Sequence, residues 1–341
     1  MQRQLINLYT VENIEKIDGA DSIELVTFQE VGWQCVAKLG EFKPLDKAFY
    51  FEIDSLLPEK DERFSFLKNT GLKRSVIDSV EYLGYRLKTI KLRGVISQGL
   101  ALPVSAFSEI DLSKNLSEQL RVVKWEPLVS SSNNSLGLFH SLIPKTDEER
   151  IQNLKSKFPN YVGTSWEITE KLEGQSCTVV MENINGVPTK RVYSRSLERS
   201  LEDNSSFSIV ANSITIPVGY AVQGEVVGIG IQGNIYKLNK IDYYVYSVFN
   251  LSTGAYLSVS EQNKFLDAFG IKKVPTINAS FTITEDTKLE TILKLAEGVS
   301  VLSSVEREGI VFKQITDIVN KNNFNKKSFK AISNKYLLKQ K

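Results

Sequence analysis

The stretch "TEKLEGQS" at residues 169–176 separates two predicted strands. Before it, "SWEITEKL" alternates in the manner of a strand. After it, "SCTVVMENINGVPTKRVYSRS" predicts a β-hairpin that turns at Asn185-Gly186. Gly174 permits a close backbone approach between the two segments. Taken alone, the stretch does not decide whether Lys171 is a solvated charge or a nucleophile.

Composition limits the class of protein. The chain has 341 residues, of which 42% are hydrophobic and 24% charged, which indicates a globular protein of two domains. Its net charge is only +2, so any basic surface must be local. One histidine, His140, excludes a multi-histidine metal site and disfavours a Ser-His-Asp triad. Cys35 and Cys177 suit a reducing compartment without a disulfide framework.

The order of predicted elements suggests an α+β protein. Residues 1–125 contain short strands at turn spacing, which indicates an N-terminal OB-type β-barrel that binds nucleic acid. Residues 126–139 are polar and form the predicted linker. Residues 140–341 predict strands with a few helices, the first of them in "KTDEERIQNLKSKF" with Thr146 or Asp147 as its cap. The N-terminus lacks a long apolar run, so we expect a cytoplasmic protein without a membrane span.

The C-terminal tail has a strong charge bias. Residues 313–341 contain eight lysines and one acidic residue, Asp317. Such a run is compatible with a solvated, partly disordered terminus or with contacts to phosphate. The sequence leaves both interpretations open.

Six short segments recur in a fixed order through the second half of the chain. They are "EKLEG" (170–174), "SRS" (194–196), "QGEVVGIGIQGN" (223–234), "YYVYS" (243–247), "EGIVFK" (308–313) and "SFK" (328–330). Together they resemble the covalent nucleotidyltransferases, which comprise ATP-dependent ligases and capping enzymes. "EKLEG" with "GEVVGIGIQGN" is similar to the RNA ligases. "IKLRGVISQGLALP" and "KTDEERIQN" are similar to a branch with its OB domain before the catalytic domain.

This resemblance implies an N-terminal OB barrel followed by a nucleotidyltransferase domain of antiparallel sheets flanked by helices. It also implies a reaction in three steps, in which Lys171 attacks the α-phosphate of ATP to give lysyl-AMP. AMP then moves to a 5′-phosphate, and a 3′-OH finally expels it. A free lysine has a pKa near ~10.4 and must lose its proton to attack, which nearby cations favour.

The resemblance assigns further residues to the site. The implied nucleotide contacts are Glu170, Glu173, Gly174, Arg195, Glu225, Tyr246, Lys313, Lys330, Lys145 and Arg150. The implied ligands of Mg²⁺ or Mn²⁺, or of its waters, are Glu173, Glu225 and Glu308.

Three of these assignments carry a specific structural expectation. Tyr246 would stack on adenine, although Tyr243, Tyr244 and Phe249 leave its register open. Period-two alternation places Lys313 on the opposite face from Glu308 unless the strand bulges. Lys330 would meet the α-phosphate. Many RNA ligases have a second lysine two residues earlier, where this chain has Ser328, so that cation is either lost or supplied by Lys327.

The sequence therefore predicts a monomeric ATP-dependent RNA ligase that seals 3′-OH/5′-phosphate nicks in duplex RNA or RNA–DNA and serves RNA repair. Basic residues of the OB domain would hold the strand, with Lys88, Lys91 and Arg93 as candidates. The alternatives are a DNA ligase, another covalent nucleotidyltransferase such as a capping enzyme, and an inactive OB-containing protein that binds nucleic acid.

Overall fold

The computed structural model describes residues 4–77, 80–126, 135–315 and 328–339. Contacts divide the chain into two units. The first comprises Met1–Ser131, Gln152–Phe158 and Leu337–Lys341, and the second comprises Ser132–Ile151 and Pro159–Tyr336. Among the helices in these described parts, none is both long and apolar enough to cross a membrane.

The first unit is built from short strands. They are β1 (Ile6–Lys16), β2 (Ile23–Phe28), β3 (Gln34–Lys38), β4 (Lys47–Phe51), β5 (Ser55–Pro58), β6 (Lys73–Ile77), β7 (Val80–Arg86), β8 (Thr89–Leu92), β9 (Val95–Gln98), β10 (Leu100–Pro103) and β11 (Val123–Lys124). Two 3-10 helices, Glu62–Thr70 and Val104–Phe107, and the short helix α1 (Leu116–Gln119) join them.

These strands form a near-closed barrel. One sheet has the order β10-β4-β1-β2-β3 and another the order β11-β5-β7-β6, while β8 and β9 form a hairpin. Strand β3, at one edge of the first sheet, also contacts β9 and contacts β10 at the opposite edge. The first sheet is therefore nearly closed on itself. Aromatic side chains fill the interior, with the Phe51 and Phe64 rings 5.5 Å apart and the Phe49 and Phe107 rings 4.9 Å apart. The predicted OB-type fold is confirmed.

The second unit holds most of the remaining elements, although Gln152–Phe158 and Leu337–Lys341 belong to the first unit. Its strands are β12 (Ser135–Leu138), β13 (Glu149–Arg150), β14 (Ser165–Lys171), β15 (Gln175–Ile184), β16 (Val187–Tyr193), β17 (Leu197–Arg199), β18 (Tyr220–Val227), β19 (Asp242–Asn250), β20 (Ala255–Tyr256), β21 (Thr276–Thr282), β22 (Gly309–Gln314) and β23 (Ser328–Ile332). Its helices are α2 (Ser206–Ser213), α3 (Val259–Ala268) and α4 (Leu289–Ala296), and α5 (Asn334–Lys339) ends the described chain.

Two sheets organise this unit. The larger has the order β12-β17-β16-β15-β18-β19-β20, and the smaller has the order β13-β23-β22-β14-β21. All pairs are antiparallel except β13 with β23, which is parallel and departs from the predicted all-antiparallel sheets. The hairpin between β15 and β16 turns at Asn185-Gly186, as predicted, and both residues have positive φ. The sheet-rich α+β catalytic domain is thus confirmed.

Residues 145–158 differ from the predicted helix. Glu149 and Arg150 extend alongside β23, and a 3-10 helix covers only Ile151–Tyr161. Neither Thr146 nor Asp147 caps it, because their side chains bond elsewhere in the second unit. The predicted cap was therefore wrong.

Parts of two sequence predictions fall outside the described residues. Positions 127–134 of the predicted linker do so, while Ser135–Leu138 pair with β17 as an edge strand. In the basic tail, Lys321, Lys326, Lys327 and Lys341 also lie outside the described residues. Cys35 and Cys177 are both buried and free.

Candidate active site

Lys171 is the last residue of β14, an interior strand of the smaller sheet that lies between β22 and β21. In the antiparallel register, Lys171 pairs with Gly309 of β22. The Nζ atom of Lys171 lies 2.7 Å from Oε1 of Glu308, the residue immediately before that strand. Two segments 137 positions apart in sequence thus bring a lysine and a carboxylate into direct contact.

The turn after Lys171 is fixed by close packing. Leu172 is buried, and the Glu173 backbone N–H donates to the Tyr236 hydroxyl at 2.7 Å. A Cβ at Gly174 would lie well under 3.0 Å from the Val226 carbonyl oxygen and 3.0 Å from Cγ of Glu225. Only glycine therefore lets this turn lie against the strand that carries Glu225.

Glu225 lies on β18, between Ser176 of β15 and Tyr244 of β19. Burial raises the pKa of Glu225 to about 8, against the opposing attraction of Lys171. Burial likewise raises the pKa of Glu173, and a hydrogen bond with Tyr336 opposes that rise. The site therefore contains carboxylates that favour a nearby cation.

These carboxylates determine the protonation of Lys171. Burial alone lowers the pKa of Lys171, but the charges of Glu308 and Glu225 outweigh it and raise the pKa above its usual value. The amine is therefore an ammonium ion in the nucleotide-free protein. Loss of that proton would be favoured if another cation took over these carboxylates.

The acidic residues do not form a direct three-carboxylate metal cage. Within the described ranges, no group of three or more histidine, cysteine or acidic side chains is spaced to hold a metal ion. The prediction that Glu173, Glu225 and Glu308 bind the metal ion or its waters stays a prediction. The arrangement does fit a hydrated Mg²⁺ or Mn²⁺, because Mg²⁺ usually keeps several waters and takes one or two carboxylates with substrate phosphates.

The hydrogen bonds of the tyrosine hydroxyls on β19 show which tyrosine faces the site. The Tyr243 hydroxyl points into the core and donates to the backbone oxygens of Cys177 and Val222. The Tyr246 hydroxyl instead lies 3.1 Å from Ser176 Oγ and 3.0 Å from Thr146 Oγ1. Tyr246 thus joins the candidate site, whereas the Tyr244 hydroxyl donates to Asp242 Oδ2 at 3.1 Å.

The side chain of Lys313 also lies in the candidate site, beside Tyr246. It pairs with Glu167 of β14, which shares a face with Lys171 because the two are four residues apart in a strand. Its Nζ donates to the Tyr246 carbonyl oxygen and lies 5.9 Å from the Tyr246 ring centroid. The expectation that Lys313 faces away from Glu308 was wrong, because Glu308 precedes β22 and strand alternation does not apply to it.

Cations cluster around Asp147. Lys330 Nζ lies 2.9 Å from Asp147 Oδ1, and Arg195 Nη2 lies 3.3 Å from Asp147 Oδ2. Burial lowers the pKa of Lys330 to about 8, while Asp147 opposes that change. Arg150 is buried, pairs with Lys330 in the parallel register, and disfavours the ammonium forms of both Lys330 and Lys171.

Other predicted residues are placed differently. The side chain of Glu170 lies on the opposite face of β14 from Lys171, where Oε2 accepts from the Val301 backbone N–H at 2.8 Å. Burial raises the pKa of Glu170. Lys145 lies 5.9 Å from the Phe139 ring centroid. Ser328 donates to Glu148, so the position of the family's second lysine holds a hydroxyl that is already bonded.

Sequence reasoning missed Thr146, Asp147, Ser176 and Tyr236 as site neighbours. Thr146 and Asp147 lie inside "KTDEERIQN", where the residue pattern is typical of a helix start. Ser176 lies two positions after Gly174 and pairs with Glu225. The sequence signal that could have identified Ser176 was its place at the start of the strand that follows Lys171 and Gly174.

The candidate strand-binding residues belong to the first unit. Lys91 and Arg93 are exposed on the β8–β9 hairpin. Burial, Arg86 and Lys73 together lower the pKa of Lys88. The role of Lys88, Lys91 and Arg93 in strand binding stays a prediction.

Comparisons with known proteins agree with this geometry. An OB-fold domain family matches residues 5–104, and the RNA ligase family matches residues 164–332. A search of curated proteins by sequence finds no match.

Solved structures of an RNA ligase from Naegleria gruberi resemble the whole chain. A mutant with AMP and Mn has a TM-score of 0.85 and 33% identity, covering 99% of both chains. A mutant with ATP and Mn has a TM-score of 0.84 and 33% identity, covering 98% of this chain and 99% of that one. The same ligase with PPi has a TM-score of 0.83 and 33% identity, covering 99% of both chains. The chain belongs to the RNA ligase family.

Proposed function

We propose that this protein seals 3′-OH/5′-phosphate nicks in duplex RNA or RNA–DNA through a lysyl-AMP intermediate, as a step of RNA repair. Its family membership makes it an ATP-dependent RNA ligase that uses a divalent metal ion. The observation that carries the mechanism is the Lys171–Glu308 contact of 2.7 Å beside Glu225.

In the first step, a neutral Lys171 amine attacks the α-phosphorus of ATP. The new N–P bond replaces the bond from the α-phosphorus to the bridging oxygen, and pyrophosphate leaves. The proton of the ammonium must leave first, and this requires Glu308 and Glu225 to be engaged by another cation. A bound Mg²⁺ or Mn²⁺ supplies that positive charge and neutralises the phosphates.

The remaining site residues bind and orient the nucleotide in this proposal. Tyr246 offers its ring to adenine, with its hydroxyl held by Ser176 and Thr146. Lys330, Arg195 and Arg150 place positive charge where negative charge develops on the phosphates. Further contacts to the nucleotide come from Glu173, Gly174, Lys313 and Lys145, and from the backbone of Glu170.

The two later steps need the nucleic acid. The 5′-phosphate of the nick attacks lysyl-AMP and frees Lys171, which yields a 5′-adenylylated end. The 3′-OH then attacks that phosphate, forms the phosphodiester bond and releases AMP. We assign strand binding to residues 1–125, through Lys88, Lys91 and Arg93, and nucleotide chemistry to residues 140–341.

The proposal also covers oligomeric state and location: the enzyme acts as a monomer in the cytoplasm. Residues 126–139 would link the strand-binding domain to the nucleotidyltransferase domain.

A set of matched nicks tests the proposal. The purified protein is incubated with ATP, Mg²⁺ and three nicked duplexes that differ only in the strand carrying the 3′-OH: all RNA, RNA ending in one deoxynucleotide, and all DNA. We expect sealing of the first and strong loss for the other two. Equal sealing of all three would indicate a DNA ligase, and binding without adenylylation would indicate an inactive nucleic-acid-binding protein.

A further inference from the structure

Asp147 is a carboxylate held between two cations of the candidate nucleotide site. Its Oδ1 lies 2.9 Å from Lys330 Nζ and its Oδ2 lies 3.3 Å from Arg195 Nη2. The Lys330 side chain is 14% exposed, whereas Asp147 is 49% exposed. The acid therefore covers a mostly buried ammonium from the solvent side.

The neighbours of Asp147 fix its position. On one side, Thr146 Oγ1 lies 3.0 Å from the Tyr246 hydroxyl. On the other side, Glu148 accepts a hydrogen bond from Ser328, and Arg150 pairs with Lys330 across β13 and β23. Because both flanks are attached to site strands, the carboxylate is presented to Lys330 by the fold itself.

A carboxylate and a phosphate bind these cations through the same type of contact. Both are anionic acceptors, and an arginine fork binds either of them. Two anions within hydrogen-bonding distance of one ammonium repel each other. The site already contains Glu308, 2.7 Å from Lys171, so another carboxylate opposes a polyphosphate further.

We propose that Asp147 is an internal competitor for phosphate: it occupies Lys330 and Arg195 in the nucleotide-free protein, and a phosphate of the bound nucleotide displaces it. This inference rests on the proposed role of these two cations in binding ATP. The competition weakens ATP binding and, after each transfer, helps to release pyrophosphate and AMP. Asp147 thus sets nucleotide affinity without contacting the reacting atoms.

The experiment measures nucleotide affinity without chemistry. Full-length wild-type protein, Asp147→Asn and Asp147→Glu are titrated by calorimetry with Mg²⁺ and an ATP analogue that has a methylene group between the α- and β-phosphorus. The pH is 6.5, where Lys330 is charged because its pKa lies at about 8. Asp111→Asn is the matched control, since Asp111 is 46% exposed and pairs with Lys114 in the other unit.

We expect Asp147→Asn to bind the analogue about two- to fivefold more tightly, the size expected for losing exposed ion pairs. Asp147→Glu, which restores a carboxylate, and Asp111→Asn should both stay near wild type. Asp147→Ser must change affinity in the same direction as Asp147→Asn, and thermal melting checks that each variant folds.

Unchanged or weaker binding by Asp147→Asn would overturn the inference and leave a positioning role for Asp147. A similar gain in Asp111→Asn would overturn it too, because net charge alone would then explain the effect. If wild-type protein neither binds the analogue nor forms lysyl-AMP with ATP, the proposed function itself fails, which is a distinguishable result.

Discussion

Replacing Gly174 by alanine tests how tightly the turn after Lys171 must pack. An added Cβ would lie well under 3.0 Å from the Val226 carbonyl oxygen, a distance that Cβ atoms do not adopt. The turn and β18 must therefore separate by roughly 1 Å, and a displacement of that size costs about 100-fold in rate when reacting groups need alignment. The same clash costs about 1–3 kcal/mol of folding stability.

The assay for Gly174→Ala is single-turnover formation of lysyl-AMP from labelled ATP, with thermal melting alongside. Gly137→Ala is the control, because its added Cβ would meet only Glu198 Oε2 at 3.5 Å. We expect a loss of about 100-fold for Gly174→Ala at temperatures where it is folded. A folded Gly174→Ala protein with wild-type rate would refute the close packing of the Gly174 turn against the Glu225 strand.

Three further predictions follow from the same geometry. Tyr246→Phe keeps the ring but removes a hydroxyl with two hydrogen bonds, so the KM for ATP in lysyl-AMP formation should rise by up to about 30-fold, at about 1 kcal/mol for each bond, whereas Tyr246→Ala should lose more. Lys330 is charged below its pKa of about 8 and neutral above it, so affinity for the ATP analogue should fall as pH rises through that value, and Lys330→Arg should flatten the profile; an unchanged slope in that variant would contradict the assignment. A triple alanine variant of the β7–β9 segment should weaken nick binding and reduce its salt dependence while lysyl-AMP formation stays normal; the substituted residues are Lys88, Lys91 and Arg93.

The sequence predicted those parts of the fold that depend on local signals. The hairpin at Asn185-Gly186 follows from a turn that accepts positive φ, and the strands that flank Lys171 follow from alternation. The helix at 145–158 was mispredicted because tertiary pairing with β23 overrides a polar, helix-compatible pattern.

The candidate site was predictable in its residue types but not in its contacts. Lys171 and Glu308 meet only because β14 pairs with β22, and nothing local specifies that register. Lys313 was placed by an alternation rule that fails at a strand boundary. The position of Asp147 between Lys330 and Arg195 depends on three segments that are distant in sequence.

The most direct measurement is the identity of the residue that carries AMP. Wild-type protein, Lys171→Ala and the control Lys264→Ala, which changes an exposed lysine of α3, are incubated with labelled ATP and Mg²⁺ and then analysed by peptide mass spectrometry. The account predicts one AMP on Lys171 in wild type and in Lys264→Ala, and none in Lys171→Ala. AMP on a different residue, or equal labelling of Lys171→Ala, would contradict it.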